Sequence, residues 1–271
     1  MSENLTDRPI GIFDSGVGGL TVFRALERLL PDESLIYLGD TARIPYGTRS
    51  TETVQRYALE DAQFILAKEV KAIVIACNTA SALAADFLRS RIDLPIIGVI
   101  RPGARRAVDE TRSHCIGIIG TEATIASGAY QRAIHNINPE IEVIAVACPL
   151  FVPLAEEGWT THAVTEMVAR EYLARLCDSP ADALVLGCTH YPILRPIIER
   201  VMGEKVRCID SGEEVALEVA RQIEENGLAR AKGEPRAEYF YVTDSAARFR
   251  RVAELFLGRP LLTLEVVELG A

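Results

Sequence analysis

The sequence lacks long apolar runs, closely spaced cysteine pairs and any concentration of basic charge. No window of its 271 residues approaches the ~18 consecutive apolar residues that a membrane-spanning helix needs. The opening MSENLTDRPIG has no apolar stretch behind a basic head, so we expect a soluble, cytoplasmic protein that does not contact a membrane. The net charge is −9 and the Lys and Arg residues are scattered, which argues against a nucleic-acid partner.

The six cysteines show neither the spacing of a zinc site nor the setting of a disulfide framework. No two of them form a CxxC pair, and disulfide frameworks belong to small secreted domains. A cytosolic cysteine is by default a small buried apolar residue. We predict that role for four of them, namely Cys115, Cys148, Cys177 and Cys208. We expect no bound metal.

Short apolar runs bounded by glycine recur along the chain and indicate an α/β fold. Eight of these runs are PIGIFDS, SLIYLGD, AIVIACN, PIIGVI, CIGIIGT, EVIAVACP, ALVLGCTH and VRCIDS. Most precede a segment with helical periodicity, which is typical of βα units around a buried, mostly parallel sheet. EYFYVTD and LLTLEVVEL read as final strands. Ligands of such sheets bind at the carboxyl ends of the strands.

A weak internal repeat suggests two similar halves. AIVIACNTASAL and ALVLGCTHYPIL each show an apolar strand, a small residue, a cysteine and a helix start, and an Asp-Ser-Gly triplet occurs at residues 14–16 and 210–212. We predict one domain from residues 1–99 plus 211–271 and another from residues 100–210, with a cysteine on each wall of the cleft between them. Ser50 and Ser211 are predicted helix N-caps, and Gly227 a C-cap.

Cys77 and Cys188 lie where reactive thiols are expected. A cysteine at a strand end and helix start is near the positive pole of the helix, which favours the thiolate. Cys188 is also two residues from His190, one of only four histidines. That imidazole can pair with the thiol or act as an acid or base, and Glu156 or Glu157 can tune it. The alternative is that both cysteines are structural.

The segment GIFDSGVGGLTV places Asp14 and Ser15 at a strand end before a glycine-rich turn. It contains neither a GxGxxG in register nor a Walker Lys-Ser/Thr pair, so it gives little support to nucleotide binding. Asp14 can orient a thiol or bind a substrate ammonium, or it can merely cap the helix. In LGDTARIPYG, Tyr46 and Gly47 follow another strand in a tight loop, where binding groups often occur.

These segments together resemble the bacterial glutamate racemases of the aspartate/glutamate racemase superfamily. The matching blocks are FDSGVGGLTV, YLGDTARIPYG, ACNTAS, CPLFVPLAEEG, LGCTHYP and DSGEEVA, in the family's order. The resemblance implies two similar α/β domains, each a mostly parallel sheet flanked by helices, with the active site in the cleft between them. It also implies no cofactor, a homodimer, and interconversion of L- and D-glutamate for peptidoglycan synthesis.

The resemblance further implies residue roles. Cys77 and Cys188 would be the two bases, Cys77 acting on D-glutamate and Cys188 on L-glutamate, and Asp14, His190 and Glu156 would assist them. The implied substrate contacts are Asp14, Ser15, Tyr46, Gly47, Asn78, Thr79, Thr189 and His190. Only about ten residues precede the first predicted strand, so we expect no activation by a cell-wall precursor, which some members with a longer N-terminal extension show.

Three other functions fit part of the pattern. A sister racemase acting on aspartate or a hydantoin would share the fold and the cysteine pair. A cysteine hydrolase would use Cys188 and His190 and leave Cys77 without a role. A non-catalytic amino-acid-binding protein would bind glutamate without exchanging its Cα proton.

Overall fold

A computed structural model describes residues 5–233, 236–261 and 263–270 of the chain. These residues form ten strands and eleven α-helices, and most strands are followed by a helix. The strands are β1 (Ile10–Asp14), β2 (Leu35–Gly39), β3 (Ala72–Ile75), β4 (Ile96–Gly98), β5 (Cys115–Gly120), β6 (Glu142–Ala147), β7 (Ala183–Gly187), β8 (Arg207–Asp210), β9 (Glu238–Val242) and β10 (Glu265–Val266). The helices are α1 (Leu20–Leu29), α2 (Thr51–Leu66), α3 (Asn78–Arg89), α4 (Ile100–Glu110), α5 (Glu122–Ala126), α6 (Ala129–Ile137), α7 (Phe151–Glu156), α8 (Ala163–Cys177), α9 (Arg195–Met202), α10 (Ser211–Glu225) and α11 (Ala246–Leu257).

The apolar runs form the strands that the sequence predicts. Strands β1, β2, β3, β5 and β7 are buried along their whole length, as expected for a sheet covered by helices on both faces. The last run, LLTLEVVEL, forms a strand only at Glu265–Val266, and its residue 262 lies outside the described residues.

The strands form two parallel sheets with matching topology. The first sheet has the order β10-β9-β2-β1-β3-β4 and the second has the order β6-β5-β7-β8. In both, the first strand lies between the second and the third, and the fourth lies beside the third. β3 therefore corresponds to β7, and the two cysteines that follow them, Cys77 and Cys188, occupy equivalent positions.

The two Asp-Ser-Gly triplets of the predicted repeat do not occupy equivalent positions. Asp14 ends β1, whereas Asp210 ends β8, whose counterpart in the first sheet is β4. The shared Asp-Ser-Gly letters therefore occupy different places in the two halves. A three-residue pattern that suits any strand-to-helix turn is too short to establish equivalence.

The chain passes between the sheets twice. It leaves the first sheet after β4, and α4 packs against α6, β7 and β8 of the second half. It returns after β8 through α10, which packs between α1 and α4. The boundaries at residues 99/100 and 210/211 stay a prediction.

The helix caps differ from the prediction at one position. The Ser50 side chain caps α2 by accepting a hydrogen bond from the Thr53 backbone N–H, as predicted. At α10 the prediction was wrong, because Asp210, one residue before Ser211, accepts the hydrogen bond from the Gly212 N–H at 2.8 Å. Gly227 follows the end of α10 with a φ of +65°, the backbone conformation in which helices commonly end.

Of the four cysteines predicted to be buried, three are. Cys115, Cys148 and Cys208 lie in the core. Cys177, the last residue of α8, is exposed, so that prediction was wrong. Among the helices of the described residues, none has the length and apolar character needed to cross a membrane.

Candidate active site

A cavity of about 290 Å³ is lined by loops at the carboxyl ends of strands from both sheets. The lining comes from the loops after β1, β2 and β3 on one side and after β5, β6 and β7 on the other. Its volume is at the lower end of the ~300–1,000 Å³ of ligand pockets, which suits a small molecule. Of the predicted site residues, ten line it: Ser15, Tyr46, Gly47, Asn78, Thr79, Cys77, Glu156, Cys188, Thr189 and His190.

The Cys77 thiol lies at the N-terminus of α3. Its Sγ accepts a hydrogen bond from the Ala80 backbone N–H at 3.4 Å and lies 3.5 Å from Ser15 Oγ. Burial and the nearby charge of Asp14 raise the pKa of Cys77 to about 12, against the opposing effect of these two hydrogen bonds. Cys77 therefore holds its proton at neutral pH in the unliganded protein.

Cys188 belongs to a row of three side chains in the second half. Its Sγ lies 3.7 Å from His190 Nδ1, and His190 Nε2 lies 3.2 Å from Glu156 Oε1. Burial alone would lower the pKa of His190, but its hydrogen bonds with Cys188 and Glu156 and their charges raise it to about 10. The imidazole is therefore cationic at neutral pH and faces the sulfur.

Glu156 is the acid that contacts His190, and Glu157 is exposed at the end of α7. Burial alone would raise the pKa of Glu156, but the hydrogen bond and charge of His190 and the charge of Arg248 lower it. Arg248 Nη2 lies 3.0 Å from Glu156 Oε2. Sequence reasoning missed Arg248, because an arginine on a distant helix carries no local signal of this contact.

Asp14 does not reach the cavity as the predicted substrate contact would require. It is fully buried behind the lining, where Oδ2 accepts a hydrogen bond from the Gly16 backbone N–H at 2.9 Å and Oδ1 from Thr189 Oγ1 at 3.4 Å. Burial raises the pKa of Asp14, although the His190 charge and backbone hydrogen bonds partly oppose this. Asp14 thus links the β1 loop to the segment that carries Cys188.

Asn78 offers a hydrogen-bond donor next to Cys77. Tyr130 donates its hydroxyl hydrogen to Asn78 Oδ1 at 2.7 Å, which fixes the orientation of the amide. Asn78 Nδ2 is buried and has no hydrogen-bond partner among the described residues. A buried donor without a partner is costly, so this group is suited to a ligand acceptor.

Tyr46 lines the cavity, as a substrate contact would require, while its hydroxyl belongs to a buried network. The hydroxyl donates between the carboxylates of Asp40 and Asp61, the latter at 2.9 Å, and Arg43 bridges the same two acids. This buried network holds the loop that presents Gly47 to the cavity. Gly47 packs so closely on Thr121 that an added Cβ would lie 2.9 Å from Thr121 Cβ.

Threonines connect the two halves beside the cavity. Thr79 Oγ1 lies 2.9 Å from Thr121 Oγ1 and 3.1 Å from Thr124 Oγ1, although Thr79 follows β3 and the other two follow β5. Of these three threonines, only Thr79 was predicted from the sequence as a site residue. Other lining residues that were not predicted are Gly16, Ile44, Pro45, Thr48, Thr121, Glu122, Pro149, Val152 and Pro153.

The fold and the cavity define the class of protein. Two α/β halves, each built on a parallel sheet, enclose a small site, and each half contributes one buried thiol. In the part of the chain that the structure describes, no group of three or more His, Cys, Asp or Glu residues is arranged to hold a metal ion.

Comparison with known proteins agrees with that class. The family model described as Asp/Glu/Hydantoin racemase matches residues 10–219. A glutamate racemase of Geobacter metallireducens is 52% identical over 264 residues, which cover 97% of this chain and 98% of the relative. The chain therefore belongs to the Asp/Glu/Hydantoin racemase family, as its sequence blocks suggested.

Solved structures confirm the expected α/β fold of two sheets flanked by helices. A glutamate racemase isoform from Bacillus anthracis superposes with a TM-score of 0.94 at 38% identity, covering 97% of this chain and 98% of that one. The glutamate racemase of Francisella tularensis, crystallised with D-glutamate, gives a TM-score of 0.91 at 44% identity with the same coverage.

Proposed function

We propose that this chain is a cofactor-independent glutamate racemase that interconverts L- and D-glutamate through Cys77 and Cys188. The observation that carries the proposal is the pair of buried thiols, which end equivalent strands of the two halves and line one cavity. The 52% identity to a full-length glutamate racemase and the likeness to a structure with bound D-glutamate support glutamate as the substrate.

Two thiols on opposite walls suit inversion of a stereocentre. Racemisation removes the Cα proton from one face of the substrate and returns a proton to the other face, so a base and an acid must flank the carbon. In the proposed L-to-D direction, Cys188 acts as the thiolate base and Cys77 as the thiol acid. After one turnover the protonation states are exchanged, and D-glutamate is the substrate of that form.

The different surroundings of the thiols match these resting roles. The raised pKa of Cys77 keeps its proton in place for donation. Cys188 faces the His190 imidazolium, whose charge attracts a thiolate and whose proton can return to the sulfur. Glu156 balances that charge on the other side of the ring.

The carbanion formed between the two thiols needs stabilisation without an electron-accepting cofactor. The donors that line the cavity are the Ser15 hydroxyl, the unpartnered amide of Asn78, and the backbone N–H of Thr189, whose hydroxyl donates to Asp14. Both thiols are almost wholly buried, at 5% and 6% exposure, so little water competes with these donors. Donors fixed in a site that excludes water stabilise developing charge more strongly than the same groups in water.

A substrate panel tests the proposal against its nearest alternatives. The purified chain, with no added cofactor, is incubated separately with L-glutamate, L-aspartate and a chiral hydantoin while optical rotation is followed. Loss of rotation with glutamate alone supports the proposal. Loss with aspartate or hydantoin but not glutamate identifies a sister racemase and overturns it.

The other two alternatives, a hydrolase and a binding protein, predict different experimental results. A hydrolase that uses Cys188 and His190 would retain its activity when Cys77 is replaced by Ala. A binding protein would show saturable glutamate binding by calorimetry, with no loss of rotation. Either result would contradict a reaction that needs both thiols.

Several wider expectations accompany the proposal. We propose that the enzyme supplies D-glutamate for peptidoglycan synthesis in the cytoplasm, that it is a homodimer, and that its domains are residues 1–99 plus 211–271 and residues 100–210. Sedimentation of the purified chain would test the dimer, and limited proteolysis would test the boundaries.

A further inference from the structure

The row of side chains behind Cys188 extends one residue further than the sequence suggests. Arg248 Nη2 lies 3.0 Å from Glu156 Oε2, Glu156 Oε1 lies 3.2 Å from His190 Nε2, and His190 Nδ1 lies 3.7 Å from Cys188 Sγ. Each oxygen of the Glu156 carboxylate thus has one cationic partner. Exposure of the side chains falls from 56% at Arg248 to 16% at Glu156 and 8% at His190.

Arg248 reaches Glu156 from the other half of the molecule. It lies on α11, which follows a strand of the first sheet, whereas Glu156 ends α7 in the second half. The start of α11 is fixed to the loop after β2, where Thr41 Oγ1 donates to the Asp244 carbonyl at 2.6 Å and accepts from the Asp244 N–H at 2.8 Å. Arg248 therefore extends from a fixed helix terminus.

A second residue of α11 contacts the imidazole directly. Phe256 packs edge-to-face against His190, with ring centroids 5.5 Å apart and planes at 82°. The ring is thus restrained both by packing against Phe256 and by its hydrogen bond with Glu156. Because Phe256 is buried and apolar, the charge-bearing restraint from this helix comes through Arg248.

Without Arg248, Glu156 would lose its fixed orientation. A separate cavity of about 250 Å³ adjoins the active-site cavity here and is lined by both Arg248 and Glu156. Water in that space would compete for Oε2, and the carboxylate would be free to rotate away from His190. Partners behind a reactive histidine commonly fix its orientation and basicity in this way.

We infer that Arg248 is a positioning residue that, from the first half, holds Glu156 on His190 and so keeps the His190 imidazolium against Cys188. This inference rests on the proposed two-thiol function. Arg248 contacts no substrate in this scheme, and its effect is confined to the Cys188 side of the cavity. Arg248 contacts none of the groups around Cys77, which are Ser15, Ala80 and Asp14. Cys77 is affected only through the charge of Cys188, which raises its pKa, so a loss of that charge lowers the reactivity of Cys188 relative to Cys77 still further.

The test compares Arg248→Gln with Arg248→Lys and with Arg251→Gln. Arg251 is exposed on the same helix and has no ion pair among the described residues, so its replacement removes the same charge without touching Glu156. The full-length variants are treated with iodoacetamide, and the alkylation rates of Cys188 and Cys77 are measured separately by mass spectrometry. Cys77 serves as the internal standard.

Arg248→Gln should slow alkylation of Cys188 relative to Cys77 by roughly fivefold or more, because alkylation follows the thiolate fraction. Arg248→Lys should restore most of the ratio, and Arg251→Gln should leave it unchanged. An unchanged or increased ratio in Arg248→Gln, or an equal fall in Arg251→Gln, overturns the inference. This readout needs no turnover, so it decides the role of Arg248 even if the protein fails to racemise glutamate.

A kinetic readout separates positioning from general damage. The equilibrium constant of a racemase is fixed at one, so Arg248→Gln must lower kcat/KM equally in both directions, on the order of tenfold. The isotope effect with α-deuterated L-glutamate should rise, because proton removal by Cys188 becomes more rate-limiting. The isotope effect with α-deuterated D-glutamate should not rise. An equal rise of the isotope effect with both enantiomers would contradict a role confined to Cys188.

Discussion

The same side chain, a buried cysteine thiol, has two different sets of partners in this site. Cys77 faces a backbone N–H, a hydroxyl and the charge of Asp14, whereas Cys188 faces an imidazolium held by a carboxylate. Burial disfavours charge on any thiol unless a partner compensates for it. The residue-level asymmetry therefore keeps the proton on Cys77 before substrate binds and gives Cys188 a cationic neighbour.

Replacing Glu156 by Gln should move the alkaline limit of turnover to lower pH. His190 must carry a proton to return it to Cys188, so kcat should fall as the pH rises through about 10, the pKa of His190. Glu156 contributes to that high pKa through its hydrogen bond and charge, and the amide of Gln supplies no charge. The measurement is the pH profile of kcat for both proteins at saturating glutamate.

The amine of the substrate also titrates at alkaline pH, but it does so identically with both proteins. The difference between the two pH profiles therefore reports the change in the enzyme's own groups. The charged groups that act on His190 are Cys188, Glu156 and Asp14, with Arg248 on the far side of Glu156. Coincident profiles would show that Glu156 does not govern the His190 proton.

For single residues, the sequence predicted which side chains belong to the site better than it predicted what those side chains contact. It marked Cys77, Cys188 and His190 because cysteine and histidine at strand ends are chemically distinctive. The residues alone left Glu156 and Glu157 equivalent, and only the family resemblance favoured Glu156, because their difference arises from the direction each side chain takes at the end of α7. The sequence also assigned Asp14 to the substrate, whereas Asp14 is buried behind the cavity lining, and it could not foresee that the Tyr46 hydroxyl joins a buried network while the residue lines the cavity.

Replacing Gly18 by Ala should impair the site through the loop between β1 and α1. A Cβ at Gly18 would lie 2.5 Å from His190 Nδ1 and would also clash with Thr189 Oγ1. The imidazole would have to move, and a displacement near 1 Å in a catalytic group can cost about 100-fold in rate. We expect a loss of kcat/KM of that order, with a loss of unfolding free energy of about 1–3 kcal/mol.

Gly203→Ala is the matched control for that prediction. Gly203 ends α9 with a φ of +83° and has nothing within 4 Å of an added Cβ, so Ala there is strained by the backbone alone. It should lower the unfolding free energy by about 1–3 kcal/mol while leaving kcat/KM intact. If both variants lost activity in proportion to stability, the specific clash at His190 would be disproved.

Asp210→Ala should destabilise α10 through loss of its N-cap. The Asp210 carboxylate accepts a hydrogen bond from the Gly212 N–H at the first turn, and removing such a cap costs about 1 kcal/mol. Asp210→Asn should retain most of the stability, because its amide oxygen accepts the same bond. Urea unfolding measures the free energy of unfolding of both variants. An Asp210→Ala variant as stable as the unmodified protein would show that the cap contributes nothing.

Elements were the most predictable level of this structure. Runs rich in Ile, Val and Leu specify buried strands directly, because a covered parallel sheet needs apolar side chains on both faces. The ends of elements were less certain, since Asp210 and Ser211 are both good capping residues and only the backbone turn selects between them. Cys177 was misplaced for a similar reason, as it lies on the exposed side of the last turn of α8.

Across the whole molecule, function depends on two sheets with the same strand order facing one cavity. The sequence suggested this duplication from two cysteine segments, and the match of β3 with β7 agrees with it. It could not foresee contacts between the halves, such as Thr79 with Thr121 or Arg248 with Glu156. Those pairs are 42 and 92 residues apart, and only packing of the complete chain brings them together.

Exchange of the Cα proton in D₂O, followed by NMR with circular dichroism on the same sample, tests the two-thiol account most directly. The unmodified protein should replace the Cα proton of either enantiomer with deuterium while ellipticity decays to zero. Cys77→Ala and Cys188→Ala should each invert glutamate at least ~1,000-fold more slowly, with residual exchange confined to L-glutamate in Cys77→Ala and to D-glutamate in Cys188→Ala. Near-normal inversion by either variant, or residual exchange of the opposite enantiomer, would contradict a reaction that uses one thiol on each face.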